Sequence, residues 1–313
     1  MSASRALFER LIDYAGLFPP AQLSMQQAVA EYGAIRSGAY AWISGRFIVP
    51  VSRATELTNS LIGKEAFAIS AIIDAGSDQR DWLARVQEGI RALAGIRQQK
   101  LFLRVGAIEV AVPAPVAARE TLDPAIGQFA MASHNAGLRD LPTYVELPRT
   151  PRFEELLPSS MFALARSKLG AKLRCGGLDQ SAFPSSGEIA AFLLSAKEYG
   201  VPFKATAGLH HPIKGVDHSS GLMMHGFLNL LAASNAVQLG ADRSELQAIL
   251  EESDPNAFRV SEGAFSWHND RATVSEVAQM RADSFRSYGS CSFSEPIDDL
   301  IALGILAGSA TAV

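Results

Sequence analysis

Short apolar runs alternate along the chain with longer stretches in which apolar residues recur every three or four positions. Six runs are rich in β-branched and aromatic residues: Ala41–Val49, Ala66–Ile73, Lys100–Val105, Pro142–Leu147, Ala171–Cys175 and Pro202–Thr206. Two weaker ones follow at Ala264–Trp267 and Ser290–Phe293. Between them, residues 78–93 place Trp82, Leu83, Val86, Ile90 and Leu93 on one helical face, and residues 186–199 repeat that pattern up to a stop at Gly200. Strand, helix and strand recurring at about 30 residues is the signature of βαβ units on a parallel sheet. Eight runs predict a closed (β/α)8 barrel of the TIM type, with an open doubly wound parallel sheet as the alternative. No glycine-rich dinucleotide fingerprint follows an early run, which argues against a nicotinamide-binding version.

The pattern predicts one domain over 1–313, with an N-terminal helix and lid segment over about 1–40 and a helical insertion over about 209–262. The insertion is expected to hold helices from Gly221 to Leu239 and from Arg243 to Glu252. The first of these, apolar all round, suits either the core or a contact in a homo-oligomer. Asp13-Tyr-Ala-Gly-Leu-Phe-Pro-Pro20, stiffened by its prolines, reads as a structural lid, with a functional version in which Asp13 or Tyr14 reaches the site as the alternative. Ser24 is a fitting N-cap for the helix after it. The tail 307–313 is expected to fray.

Composition narrows the class. The chain is 48% hydrophobic with a net charge of −4, and its Lys and Arg residues do not cluster, which disfavours a nucleic-acid partner. No apolar run reaches the roughly 18 residues of a membrane span. The first ten residues include Glu9 and lack the continuous apolar stretch of a secretory signal. The two cysteines, Cys175 and Cys291, cannot form a disulfide scaffold, and reduced thiols in a cytoplasmic protein are the expectation. Cys175, by parity, should point towards the helices as a buried thiol.

In a parallel barrel the chemistry gathers at the C-terminal strand ends. There the fourth run delivers Glu146. The fifth brings Lys172 and Arg174 followed by Gly176 and Gly177. The sixth brings Lys204 and Thr206 followed by Gly208, His210 and His211, and the last leads to Glu295. Alternate spacing puts Lys172 and Arg174 on one face, and Lys204 and Thr206 likewise share one. Charges turned into a barrel need partners or a ligand. One outcome is an ion network of Glu146, Arg174 and Lys172. The other is an anion site, because glycines behind Lys and Arg leave backbone amides free to approach a negative group. His210, His211 and Asp217 offer ordinary ligands for a divalent metal, although their spacing matches no zinc signature. His225, set among apolar residues, reads as a buried hydrogen-bonded histidine.

The segment Lys204-Ala-Thr-Ala-Gly208 resembles the Lys-Thr-x-Thr-Gly segment of class I aldolase barrels of the deoxyribose-phosphate aldolase type. The resemblance covers five residues. It implies a Schiff-base role for Lys204, with Lys172 as the second lysine that lowers its pKa. In that family the second lysine lies on the following strand, whereas here it precedes.

Three functions follow. The first is a lyase, aldolase or isomerase acting on a small anionic metabolite, a sugar phosphate or oxo acid. In it Lys204 is nucleophile or base with a depressed pKa, and Arg174 with the Gly176 and Gly177 amides holds the anion. Thr206, Gly208 and His211 flank the substrate, His210 or His211 shuttles protons, and Glu146 orients Lys172 or acts as the acid/base partner. This version needs no cofactor. The second is a metal-dependent lyase or hydrolase built on His210, His211 and Asp217. The third is a non-catalytic barrel that binds a metabolite.

Overall fold

A computed structural model describes residues 1–61, 65–99, 103–117 and 119–308. Eight strands form its centre: β1 (Ile12–Tyr14), β2 (Ser44–Pro50), β3 (Phe67–Ile73), β4 (Leu103–Ala111), β5 (Thr143–Glu146), β6 (Gly170–Arg174), β7 (Phe203–Thr206) and β8 (Phe285–Ser290). Every strand pairs in parallel with its neighbours in sequence, and β1 pairs with both β2 and β8, so the sheet closes on itself. This is a (β/α)8 barrel, and the open doubly wound alternative falls with the closure. Among the described residues no helix is long and apolar enough to cross a membrane.

The surrounding helices form where the 3.6-residue pattern places them. Gln79–Gln99 packs through Trp82, Val86, Ile90 and Leu93, all buried. Ser186–Glu198 starts at a reciprocal cap, in which Ser185 accepts from the Glu188 amide and Glu188 accepts from the Ser185 amide. Arg243–Glu251 starts the same way on Asp242 and Glu245. Phe227–Leu239 is buried on all sides from Phe227 to Val237, within the chain itself, as a helix without a polar face must be. It begins at Phe227 rather than at Gly221, because Met223–Met224 instead pairs with Gly215–Val216 as a small antiparallel hairpin.

Three expectations about the strands are corrected. The segment expected as helix and lid over about 1–40 contains β1. Three residues cannot display an alternating pattern, and Ile12, Asp13 and Tyr14 are buried alike. The run Ala264–Trp267 is a strand, but it belongs to an antiparallel three-stranded sheet with Phe258–Val260 and Asp270–Thr273, outside the barrel. The eighth barrel strand ends at Ser290, where the last predicted run begins. Its sequence, Phe285-Arg-Ser-Tyr-Gly-Ser290, holds too few aliphatic residues to stand out.

Strand β4 positions the site in a way its sequence conceals. Ile69 of β3 pairs with Val105, whereas Ser70 pairs with Ala107, so Gly106 is an extra residue in the ladder. A bulge of this kind reverses the face that later residues present. Val105 packs outwards, and Ala107 and Glu109 turn into the barrel. The predicted run ended at Val105, whereas β4 continues to Ala111. Residues 100–102 of that run lie outside the described residues, as do 309–313 of the tail.

Candidate active site

The barrel interior holds a chain of alternating charges. Lys204 Nζ on β7 lies 2.7 Å from Asp13 Oδ2 on β1 and 2.5 Å from Glu109 Oε1 on β4. Lys172 Nζ on β6 lies 2.8 Å from Glu109 Oε2 and 2.9 Å from Glu146 Oε2 on β5. Arg174 Nε closes the series 2.7 Å from Glu146 Oε1. The Arg46 guanidinium lies 3.9 Å from Asp13 Oδ1, so three carboxylates meet two ammonium groups and two guanidinium groups. The remaining lone pairs are used as well: Ser70 Oγ donates to Glu109 (2.6 Å), and Ser287 Oγ and the Arg46 amide donate to Asp13 (2.8 and 2.7 Å). Register puts Glu146, Lys172 and Lys204 side by side on adjacent strands.

These pairings fix the protonation states. Burial alone would push the carboxylates up and the lysines down, but the facing charges outweigh it. Asp13, Glu109 and Glu146 are held below the usual carboxylate range by Lys204, Lys172 and Arg174. Lys204 is held above its ordinary value by Asp13 and Glu109, and Lys172 by Glu109 and Glu146. The depressed pKa expected for Lys204 is therefore reversed. Lys172 and Arg174 sit on the adjacent strand β6 but stand apart from it, behind carboxylates. The network is larger than the predicted trio, because it draws in Asp13 and Glu109.

Above this network, at the C-terminal end of the strands, lies a cavity of about 600 Å³. Glu109, Lys172, Arg174, Thr206, His210 and Glu295 supply its polar side, together with Asp217, Ser219 and Ser220. Phe18, Pro19, Pro20, Ile48, Ile72, Leu178, Leu222 and Met224 supply an apolar one. Lys204, fully buried, does not line it, whereas Lys172 does. Half of the Arg174 side chain is exposed. Asp13 belongs to the network beneath the cavity, while Tyr14 packs away from it against Tyr32 and Phe47.

Gly177 and Gly208 line the cavity, but Gly176 does not join them there. A Cβ on Gly176 would come within 2.8 Å of Gly208 Cα and 2.7 Å of the Phe183 ring. These two glycines let the loops after β6 and β7 touch backbone to backbone. Ala207 and Gly208 both take left-handed backbone (φ 59° and 66°), a conformation that strains a residue with a side chain.

The histidines after β7 reach the final helix, Ser294–Ala302. His210 Nδ1 is 3.1 Å from Glu295 Oε2. His211 Nδ1 is 2.7 Å from Asp299 Oδ2, and its Nε2 is 3.1 Å from Asp217 Oδ1. Burial opposes protonation of His211, but hydrogen bonds to Asp299 and Asp217 raise its pKa. The two carboxylates lie on opposite edges of the imidazole and do not converge on one point. Asp217 is otherwise occupied by Ser219 and Ser220. Among the described residues no group of three or more His, Cys, Asp or Glu side chains is arranged to hold a metal ion. His225 is buried, with Nε2 2.6 Å from the Pro184 carbonyl. Cys175 is fully buried behind β6, where burial pushes its thiol up to about 12.

Sequence reasoning missed Glu109, the carboxylate between the two lysines. Its only signal is a lone glutamate in Ala107-Ile-Glu-Val-Ala111, a run that Gly106 cuts off from the apolar stretch before it.

No family model matches the sequence, and no curated protein matches it either. Among solved structures the chain is similar to a deoxyribose phosphate aldolase from Aeropyrum pernix, described as a tetramer. The TM-score is 0.43 and the identity 13%, over 67% of this chain and 80% of that one.

Proposed function

We propose that this barrel is an enzyme of the lyase or isomerase type that moves a proton next to the carbonyl of a small oxo acid. The observation that carries the reading is the Lys172 ammonium, fixed at the cavity floor between Glu109 and Glu146. An ammonium held in place by two carboxylates is a preorganised donor for an oxyanion that develops in the transition state. Half-exposed Arg174 offers a planar fork for the substrate carboxylate. His210 faces the cavity with Nδ1 turned to Glu295, which leaves Nε2 to accept and return the proton. Of the two anionic classes considered, an oxo acid with an apolar substituent fits better than a sugar phosphate. The wall of Phe18, Ile72, Leu178, Leu222 and Met224 offers no partners for a row of hydroxyls.

This reading assigns Lys172 a charged role and Lys204 a structural one. A Schiff base requires a neutral amine, and both lysines are held protonated. The test is proton–deuterium exchange at the carbon beside the carbonyl of branched 2-oxo acids, followed by NMR in D2O. The native chain is expected to catalyse exchange, His210→Gln to abolish it, and Arg174→Ala to raise KM with a smaller effect on kcat. Absence of both binding and exchange across the oxo-acid series defeats the proposal. A borohydride-trapped adduct on Lys172 or Lys204 replaces it with the imine mechanism.

A further inference from the structure

At the opposite end of the barrel lies a second cavity, of about 590 Å³, among the N-terminal ends of β2, β3 and β4. We infer that this cavity is a binding site for a small molecule with clustered phosphate groups. Four arginines line it: Arg5, Arg10, Arg36 and Arg104. Arg5 pairs with Glu9 and Arg36 with Glu65. Arg10 and Arg104 have no carboxylate partner among the described residues. Four guanidinium groups against two carboxylates concentrate positive charge in a chain whose net charge is −4.

Two of the arginines are also held by rings. The Arg5 guanidinium sits 4.9 Å from the centre of the Trp42 ring, and that of Arg36 sits 5.6 Å from the centre of Phe67. Stacking of this kind reduces the freedom a side chain loses on binding. Guanidinium forks match phosphate oxygens in pairs, and several forks around one cavity favour an anion with several charges over a monocarboxylate. This separates the ligand class from that of the active-site cavity, where a single half-exposed arginine faces a largely apolar wall. The two sites share no lining residue, so this inference does not depend on the proposed reaction.

Trp42 provides a local reporter. Of the three tryptophans, Trp82 and Trp267 are each 1% exposed, while Trp42 is partly exposed at the cavity. The experiment is calorimetric titration of the full chain with sodium pyrophosphate and with ADP, alongside tryptophan fluorescence. Saturable binding is expected, weakening as salt rises, with a fluorescence change. The double variant Arg10→Ala with Arg104→Ala should weaken it roughly tenfold or more, since hydrogen bonds between charged groups are worth about a factor of ten each. Both side chains are exposed, so the variant should melt with the parent, as circular dichroism would verify. Arg174→Ala, in the other cavity, should leave binding unchanged. Equal affinity for the two probes assigns recognition to the phosphates alone, and tighter ADP binding adds the nucleoside; both uphold the site. Absence of saturable binding, or binding that survives the double substitution, or binding abolished by Arg174→Ala, overturns it.

Discussion

Lys204 Nζ on β7 reaches Glu109 Oε1 on β4 at 2.5 Å, although β5 and β6 lie between those strands in the barrel wall. The bond therefore crosses the lumen. It links opposite walls, and together with Asp13 it leaves Lys204 wholly enclosed.

Replacing Lys204 by Met should cost about 3–5 kcal/mol, because it leaves Asp13 and Glu109 buried without their shared partner. Urea denaturation would measure this. Adding Asp13→Asn to Lys204→Met should cost less than the two single losses combined, since the residues are in direct contact. A loss within about 0.5 kcal/mol for Lys204→Met, as at an ordinary surface site, would show that the cross-lumen bond is not formed.

Acid should unfold the protein through the same network. Asp13, Glu109 and Glu146 have lower pKa values folded than unfolded, so their contribution is complete above the ordinary carboxylate value of about 4.5. It is lost as pH falls below that value and through the folded ones. The lysines work in the opposite sense. Their raised values keep their contribution whole below about 10.5, and it declines as pH climbs through the folded values. Stability from this network should be flat between these limits. In Glu109→Gln the acid limb should be shallower, as thermal melts at stepped pH would record.

His211 should make the loop after β7 sensitive to pH. Its folded pKa lies above its ordinary value of 6.5, so the tether to Asp299 and Asp217 is complete below 6.5 and weakens as pH rises through the folded value. Hydrogen-exchange protection of residues 212–224, taken relative to the intrinsic exchange rate at each pH, should fall across that rise. His211→Gln should remove the pH dependence. An unchanged profile in the variant would assign the effect to another group.

Both thiols should resist reagents in the native state. Burial pushes Cys175 up to about 12 and Cys291 up to about 11, so neither offers thiolate near pH 8. A disulfide reagent should label neither under native conditions and both in denaturant. Rapid native labelling of Cys291, which borders the active-site cavity, would show that the cavity opens.

Gly176→Ala should cost about 1–3 kcal/mol, the range for overpacking a tight site, because its Cβ would press on Gly208 and Phe183. If stability were unchanged, the loops after β6 and β7 would not be in backbone contact.

The barrel was legible in the sequence because β2 to β7 carry apolar runs of ordinary length and because residues 78–93 and 186–199 between them repeat apolar positions at helical spacing. The two seam strands were not. β1 is too short to alternate, and β8 is too polar to stand out. In the site, Lys172, Arg174, Lys204 and Thr206 were legible because parity in β6 and β7 is unbroken. Glu109 was hidden by the bulge at Gly106, which inverts parity midway through β4. The state of Lys204 was misjudged for the same reason: without Glu109 and with Asp13 assigned to a lid, its nearest charges seemed to be cations. Whether a histidine pair is joined to carboxylates on a distant helix is a matter of tertiary structure, and nothing near His210 or His211 in sequence announces Glu295 or Asp299.

The seam also governs the order in which the molecule can be assembled. Ser287 binds Asp13 across 274 positions of sequence, and Lys204 binds it across 191. Contacts of such long range form late, because the entropy of closing the loop must be met before they return any energy. On a ribosome, Asp13 emerges 274 residues before the Ser287 that binds it. Until β8 arrives, the two lysines and their carboxylates remain open to water along one side. An arrested chain lacking β8 should therefore hold its central charges hydrated, and the final strand acts as the stave that makes the vessel watertight.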